Sequence, residues 1–149
     1  MQKLGANEGI FRIPSVREGE DPLRMIQEVS DAYQRARARF DRVTVVSSGK
    51  AAAYAILLAE RFAPDEVRIA PFRDGAEAFF RLVKPFRRNL FAVLADVTVY
   101  VSAKDSARDV RRLQSLLRPM RAPAKRLIAL PDERAVDIAL KNRLLCASV

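Results

Sequence analysis

The chain has 149 residues, half of them hydrophobic and 30% charged, a balance that fits one globular domain with a real core and excludes a disordered chain. Lys and Arg number 27 against 18 Asp and Glu, a formal charge of +9 carried mostly by Arg, which suits a polyanion partner or simply a basic solvated surface. There is no His and one Cys, Cys146, which excludes a Ser-His-Asp or Cys-His nucleophile system, imidazole metal ligands and an internal disulfide, and argues against structural zinc.

No apolar run approaches the roughly 18–20 residues that span a bilayer, and the first twenty residues hold no signal-peptide core. The expectation is a cytoplasmic protein with no membrane, metal or cofactor partner. Residues 1–20 are mixed in character and read as an N-terminal arm; residues 21–149 read as a single α/β domain.

Asp21 is a good N-cap and Pro22 suits the first helical position. Ile26, Val29, Tyr33, Ala36 and Phe40 follow at spacings of three and four, the apolar stripe of a helix. "RVTVVSS" (42–48) is β-branched and apolar inside, the pattern of a strand buried on both faces of a parallel sheet. "GKAAAYAILLAERFA" then predicts a buried helix closed by Pro64. "EVRIAPF" predicts a second strand, and "DGAEAFFRLVKPF" a helix with Asp74 and Glu77 at capping-box spacing and Pro85 at its end.

"ADVTVYVSA" predicts a third strand and "DSARDVRRLQSLLRPM" a helix whose stripe is Val110, Leu113, Leu117 and Met120. "KRLIALP" predicts a fourth strand, and Asp132 caps a short helix over "DERAVDIALKN". "RLLCASV" (143–149) predicts a terminal fifth strand, whose open edge a homodimer or larger assembly would cover. The alternation predicts a three-layer α/β sandwich, Rossmann-like, with an open parallel sheet of about five strands flanked by helices. Ligands of such sheets bind outside the carboxyl ends of the strands, near a reversal in strand order.

Two strand-to-helix junctions carry polar chemistry there. At the first, Ser47 and Ser48 offer hydroxyls, Gly49 permits close backbone approach and Lys50 adds positive charge before a helix N-terminus, which together suit an anion. The Walker A spacer is missing, so the loop is not a nucleotide P-loop. At the second, Ser102, Lys104 and Ser106 offer the same chemistry, but Ser106 and Asp109 also have capping-box spacing. An ordinary helix start explains either junction as well.

The order of these parts resembles the sugar isomerase (SIS) phosphosugar-binding domain over roughly residues 22–140. "VTVVSSGKAAAYAILLAERF" is similar to the family's first strand, small-residue turn and helix, and "VRIAPFRDGAEAFFR" to its second strand and the Glu that precedes an aromatic, here Glu77 and Phe79. "ADVTVYVSAKDSARDVRRLQSLLRPMRAPAKRLIALPD" is similar to the strand, phosphate turn, helix and next strand. The family's turn reads Ser-x-Ser-Gly-x-Thr; this chain keeps Ser102 and the later Asp109 but has Lys104, Asp105 and Ala107 at the other positions, a degenerate member. The resemblance implies binding of a sugar phosphate or similar small anion, and a dimer. It also implies isomerase chemistry through Glu with His; without His, catalysis is expected to be absent or weak, with Glu77 and Glu133 the candidate bases.

A third set is basic. Arg108, Arg111, Arg112 and Arg118 lie on the side of their helix away from the apolar stripe, and Arg121, Lys125 and Arg126 follow. Such a surface suits non-specific nucleic-acid binding or a solvated face. Three expectations therefore stand: a non-catalytic or weakly catalytic binder of a phosphorylated sugar or small anion, a homodimeric structural or regulatory protein, and a non-specific nucleic-acid binder. An active sugar-phosphate isomerase ranks below them.

Overall fold

In a computed structural model that describes residues 2–3, 7–16 and 19–141, apolar runs and amphipathic stretches alternate into one sheet with helices on both faces. Among the described residues the strands are β1 (Gln2–Lys3), β2 (Glu8–Arg12), β3 (Arg42–Ser48), β4 (Glu66–Ala70), β5 (Asp96–Ser102) and β6 (Lys125–Leu130). β1 runs antiparallel to β2, and β2 to β6 are all parallel. The helices are α1 (Pro22–Arg37), α2 (Ala52–Phe62), α3 (Ala76–Val83), α4 (Ala107–Leu117) and α5 (Glu133–Lys141). Short 3₁₀ segments cover Gly49–Ala51 and Lys84–Ala92, the second bending at Phe86 just after Pro85.

The parallel sheet has five strands, but its first member lies where an arm was expected. Glu8 to Arg12 pairs in register with Arg42 to Val46. Alternation explains it: Phe11 faces one side and Ile10 the other, and both are buried, as is Ile13 beyond the strand. The run is too short and too Gly-rich to stand out by composition. The strand expected over 143–149 lies outside the described residues.

Strand order follows the chain from β1 to β6, so no reversal of order marks a ligand crevice among the described strands. Consecutive order has a second consequence. Parallel crossovers are right-handed, and when each strand is added on the same side every crossover helix lands on one face. Accordingly α1 to α4 share one apolar cluster with Phe11, Val45, Ile69 and Val99. On the other face, among the described residues, only α5 contributes, with Val136 and Leu140 packed on Ile10, Val46, Ala70 and Tyr100. The three layers are thus unequal, a thick helical layer and a thin one.

Local sequence accounts for the helices. Asp21 caps α1 by accepting from the Leu23 amide at 3.1 Å, and Met25, Val29 and Tyr33 carry the buried stripe. Every residue of α2 from Ala52 to Leu58 is buried, as its small apolar run requires in the centre of the thick layer. Ala63 closes α2 in the left-handed region at φ 46° before Pro64. Asp132 caps α5 by accepting from the Ala135 amide at 2.8 Å. On α4, Leu116 joins Leu113, Leu117 and Met120 in the core, while Val110 is half-buried.

One half-buried carboxylate ties α1 to the sheet. Asp65 accepts from the Arg37 guanidinium and from the Val43 amide, each at 2.7 Å. Burial pushes the Asp65 carboxyl up, but the Val43 amide and the Arg37 charge outweigh it and hold the group below the ordinary carboxylate range.

Candidate functional site at the carboxyl edge of the sheet

The first junction is closed by the chain's own carboxylate. Ser48 is extended, and Gly49 turns the backbone at φ 67°, a left-handed value that favours glycine. Asp74, from the loop after β4, places Oδ2 3.1 Å from the Lys50 amide, which donates to it. A Cβ on Gly49 would stand 2.1 Å from that same oxygen. The carboxylate thus lies over the turn and the helix start behind it, where a bound anion was expected. Ser47 is 2% exposed and its Oγ has no hydrogen-bond partner; Lys50 is half-buried.

Asp74 was expected to cap α3 through the Asp74–Glu77 spacing. Instead Gly75 occupies the cap at φ 96° with no side-chain bond, because Asp74 is spent on the neighbouring turn. Glu77 is 72% exposed and pairs with Arg112.

The second junction is closed in the same way. The Ser102 amide donates to Asp105 Oδ2 at 2.7 Å, and the Lys104 amide donates to Ser102 Oγ at 3.2 Å. The Asp105 amide donates to the Ser102 carbonyl, and the Ala103 amide to the Leu130 carbonyl. Ser106 is the N-cap of α4, accepting from the Asp109 amide at 3.1 Å. The amides from 102 to 105 are therefore all engaged, and a phosphate would have to displace the Asp105 carboxylate. Lys104 is exposed.

Between the second junction and α5 lies a small cleft bordered by Phe72, Arg73, Tyr100, Ser102, Asp105 and Glu133. It leaves about 10 Å³, room for about one water molecule, not for a sugar. Arg73 bridges it by pairing with Glu133 at 3.2 Å and Asp137 at 3.3 Å, which ties the start of α5 to the β4 end. The sheet brings Ser102 and Glu133 to this cleft. Glu77 is not among its residues: α3 belongs to the thick layer and α5 to the thin one, so the two candidate bases stand on helices of opposite faces.

The basic set divides by role. Arg112 pairs with Glu77 and Asp109 and lies 4.0 Å from the Phe80 ring centroid, holding α4 against α3. Lys125 Nζ donates to the Arg118 and Met120 carbonyls at 3.2 and 3.1 Å, closing the end of α4. Arg108, Arg111, Arg118, Arg121 and Arg126 are exposed. Arg126 alternates with Leu127, which packs into the thick layer, so its side chain leaves from the face opposite α4. The seven residues do not form one plane.

Asp74 has the spacing of a helix cap and Asp105 stands where the phosphate turn would have Gly, but both act differently in the fold. Asp74 and Asp105 are the groups that fill the two turns. Arg68 is buried on the thin face, bonded to Glu66 and to the Tyr100 hydroxyl at 3.2 Å. The signal was present in "EVR": residues two apart on a strand share a face, so Glu66 and Arg68 form a pair.

No protein-family model matches the chain, and no curated protein does. Among solved structures it is similar to the Pyrococcus furiosus esterase Pf2001 in two crystal forms. In space group C2221 the TM-score is 0.53 at 11% identity, covering 84% of this chain and 59% of that one. In P212121 it is 0.53 at 12%, covering 90% and 61%. The chain therefore spans about three fifths of those structures' length, and the likeness concerns the α/β fold alone.

Proposed function

We propose that this chain is a non-catalytic α/β protein, structural or regulatory in role, that acts through its surfaces as a homodimer and holds no small ligand at its strand-end turns. The observation that carries this reading is the pair of internal carboxylates, Asp74 over the first turn and Asp105 over the second. Each accepts from one backbone amide at its turn, Lys50 N–H for Asp74 and Ser102 N–H for Asp105, and puts negative charge where a phosphate would sit. The neighbouring folds are named esterases, and enzymes of that architecture hold a nucleophile on a sharp strand-to-helix turn. In this chain the left-handed position of the first strand-to-helix turn is Gly49, which has no side chain, and the sequence has no His to activate a hydroxyl.

A thermal melt with glucose 6-phosphate and, separately, an assay with p-nitrophenyl acetate test this reading. The expected result is an unchanged melting temperature at millimolar ligand and hydrolysis at the rate of buffer. A ligand at 100 times its dissociation constant would add about 2.7 kcal/mol, several degrees for a domain of this size. Such a shift, or a monomer in sedimentation at working concentration, overturns it.

A second reading, sugar-phosphate or small-anion binding, is favoured by one observation: the Ser47 hydroxyl is buried without a partner at the first turn. It predicts a melting shift that is lost when Lys50 and Lys104 are both replaced by Ala.

A further inference from the structure

A separate cavity opens along the β2 side of the sheet, away from the β6 edge. It has a volume of about 570 Å³, within the range of small-molecule sites. Its floor is apolar, made by Phe11 of β2, which faces the thick layer, and by Ala32 and Ala36 of α1, with Ile10 at its border. The two alanines lie one turn apart, and their small side chains leave the space open. Among the described residues the rest of the lining is cationic: Arg35 and Arg39 on the α1 side, with Arg12, which shares the Ile10 face of β2, at the border.

The arginines are not there to hold the fold together through ion pairs on α1. Arg35 lies in the last turn of α1 and Arg39 just past its cap at Ala38, and both line the same cavity, so two like charges gather there. Asp31 stands at the compensating spacing from Arg35, yet it accepts from Gln27 at 2.9 Å. Asp65 is taken by Arg37, and Glu28 by Arg24. Among the described residues neither Arg35 nor Arg39 has an ion-pair partner. Both side chains are exposed at the mouth, where guanidinium forks can engage a carboxylate or phosphate in a bidentate way.

We propose that this cavity binds an amphipathic organic anion, with its apolar body on Phe11, Ala32 and Ala36 and its carboxylate or phosphate head between Arg35 and Arg39. A polynucleotide fits less well, because it needs cations tracked along a surface rather than gathered round an apolar hollow. The proposal does not depend on the strand-end turns and goes beyond the surface role inferred above.

Isothermal titration of the full chain with four probes tests it: decanoate, decyl phosphate, decanol and inorganic phosphate, all below micelle-forming concentration. Decanoate or decyl phosphate is expected to saturate at one per chain. Decanol and inorganic phosphate are each expected to bind at least about 10-fold more weakly, since each lacks one half of the match. The double variant Arg35→Ala/Arg39→Ala should lose about 10-fold or more in affinity while its melting curve stays cooperative, because both side chains are exposed. Ala36→Phe should fill the cavity and block binding; if it fails to fold, the double Arg variant alone decides. Absence of saturable binding, equal binding by the double variant, or inorganic phosphate matching decanoate overturns the proposal. Tighter binding of a duplex oligonucleotide that the same double variant abolishes overturns it too, and gives the surface to nucleic acid.

Discussion

The two faces of the sheet are built on different physics. The thick face is apolar almost throughout, with Phe79 and Leu113 fully enclosed and Phe72, Phe79 and Phe80 packed ring against ring. The thin face holds most of the buried polar groups: Thr44, Arg68, Thr98 and Ser102, with Tyr100 among them. On the thick face stability comes from removing area from water and filling volume. On the thin face it depends on whether each polar group finds its partner, because among the described residues one helix gives the apolar cover for five parallel strands.

That contrast can be broken by experiment. Phe79→Ala should cost the most, about 4 kcal/mol by chemical denaturation, since a fully buried ring leaves a cavity. Arg68→Ala should come next at about 3 kcal/mol, for a different reason: it leaves the Glu66 carboxylate buried without its guanidinium. The double variant Glu66→Gln/Arg68→Met should then lie closer to wild type than Arg68→Ala does. If Arg68→Ala costs less than about 1 kcal/mol, the thin face is not governed by polar pairing.

Gly49→Ala should cost about 2 kcal/mol, from the left-handed φ and from overlap with the Asp74 carboxylate. Adding Asp74→Ala removes the overlap, so the two changes should be less than additive in a melt. Full additivity would show that Asp74 does not press on this turn.

The smallest effect concerns Asp65, which joins α1 to the thick face, and it depends on pH. Its folded carboxyl is held below the ordinary value of 3.8, so its contribution is present above that pH and is lost as pH falls through the folded value. The difference in stability between wild type and Asp65→Asn should be about 1 kcal/mol near neutrality and shrink on acidification below about pH 4. A difference that grows on acidification would contradict the pairing with Arg37.

Much of the frame was legible in the residues. The β-branched runs at 42–48 and 96–102, the Asp21 and Ser106 caps and the small-residue helix after Gly49 all read correctly, because each is a local rule about burial or backbone bonding. Glu8–Arg12 did not, since five residues with a glycine acquire strand character only when β3 lies alongside. The candidate site was legible as a place rather than as chemistry. Ser47, Gly49, Lys50, Ser102 and Ser106 do line strand ends, as parallel α/β order demands. Whether their donors are open was a matter of residues distant in sequence, such as Asp74, 24 positions from Lys50.

By itself the sequence determined the fold class, the order of elements from α1 to α5, and the absence of any relay that uses His. Periodicity and residue chemistry act over a few positions, and those features need no more. Only the tertiary structure decided the consecutive strand order, the inequality of the two faces, the closing of both turns by carboxylates, and the arginine-lined hollow beside β2. These depend on which segments meet in space, and that is settled by the handedness of crossovers and by competition for each buried donor, not by any one stretch of chain.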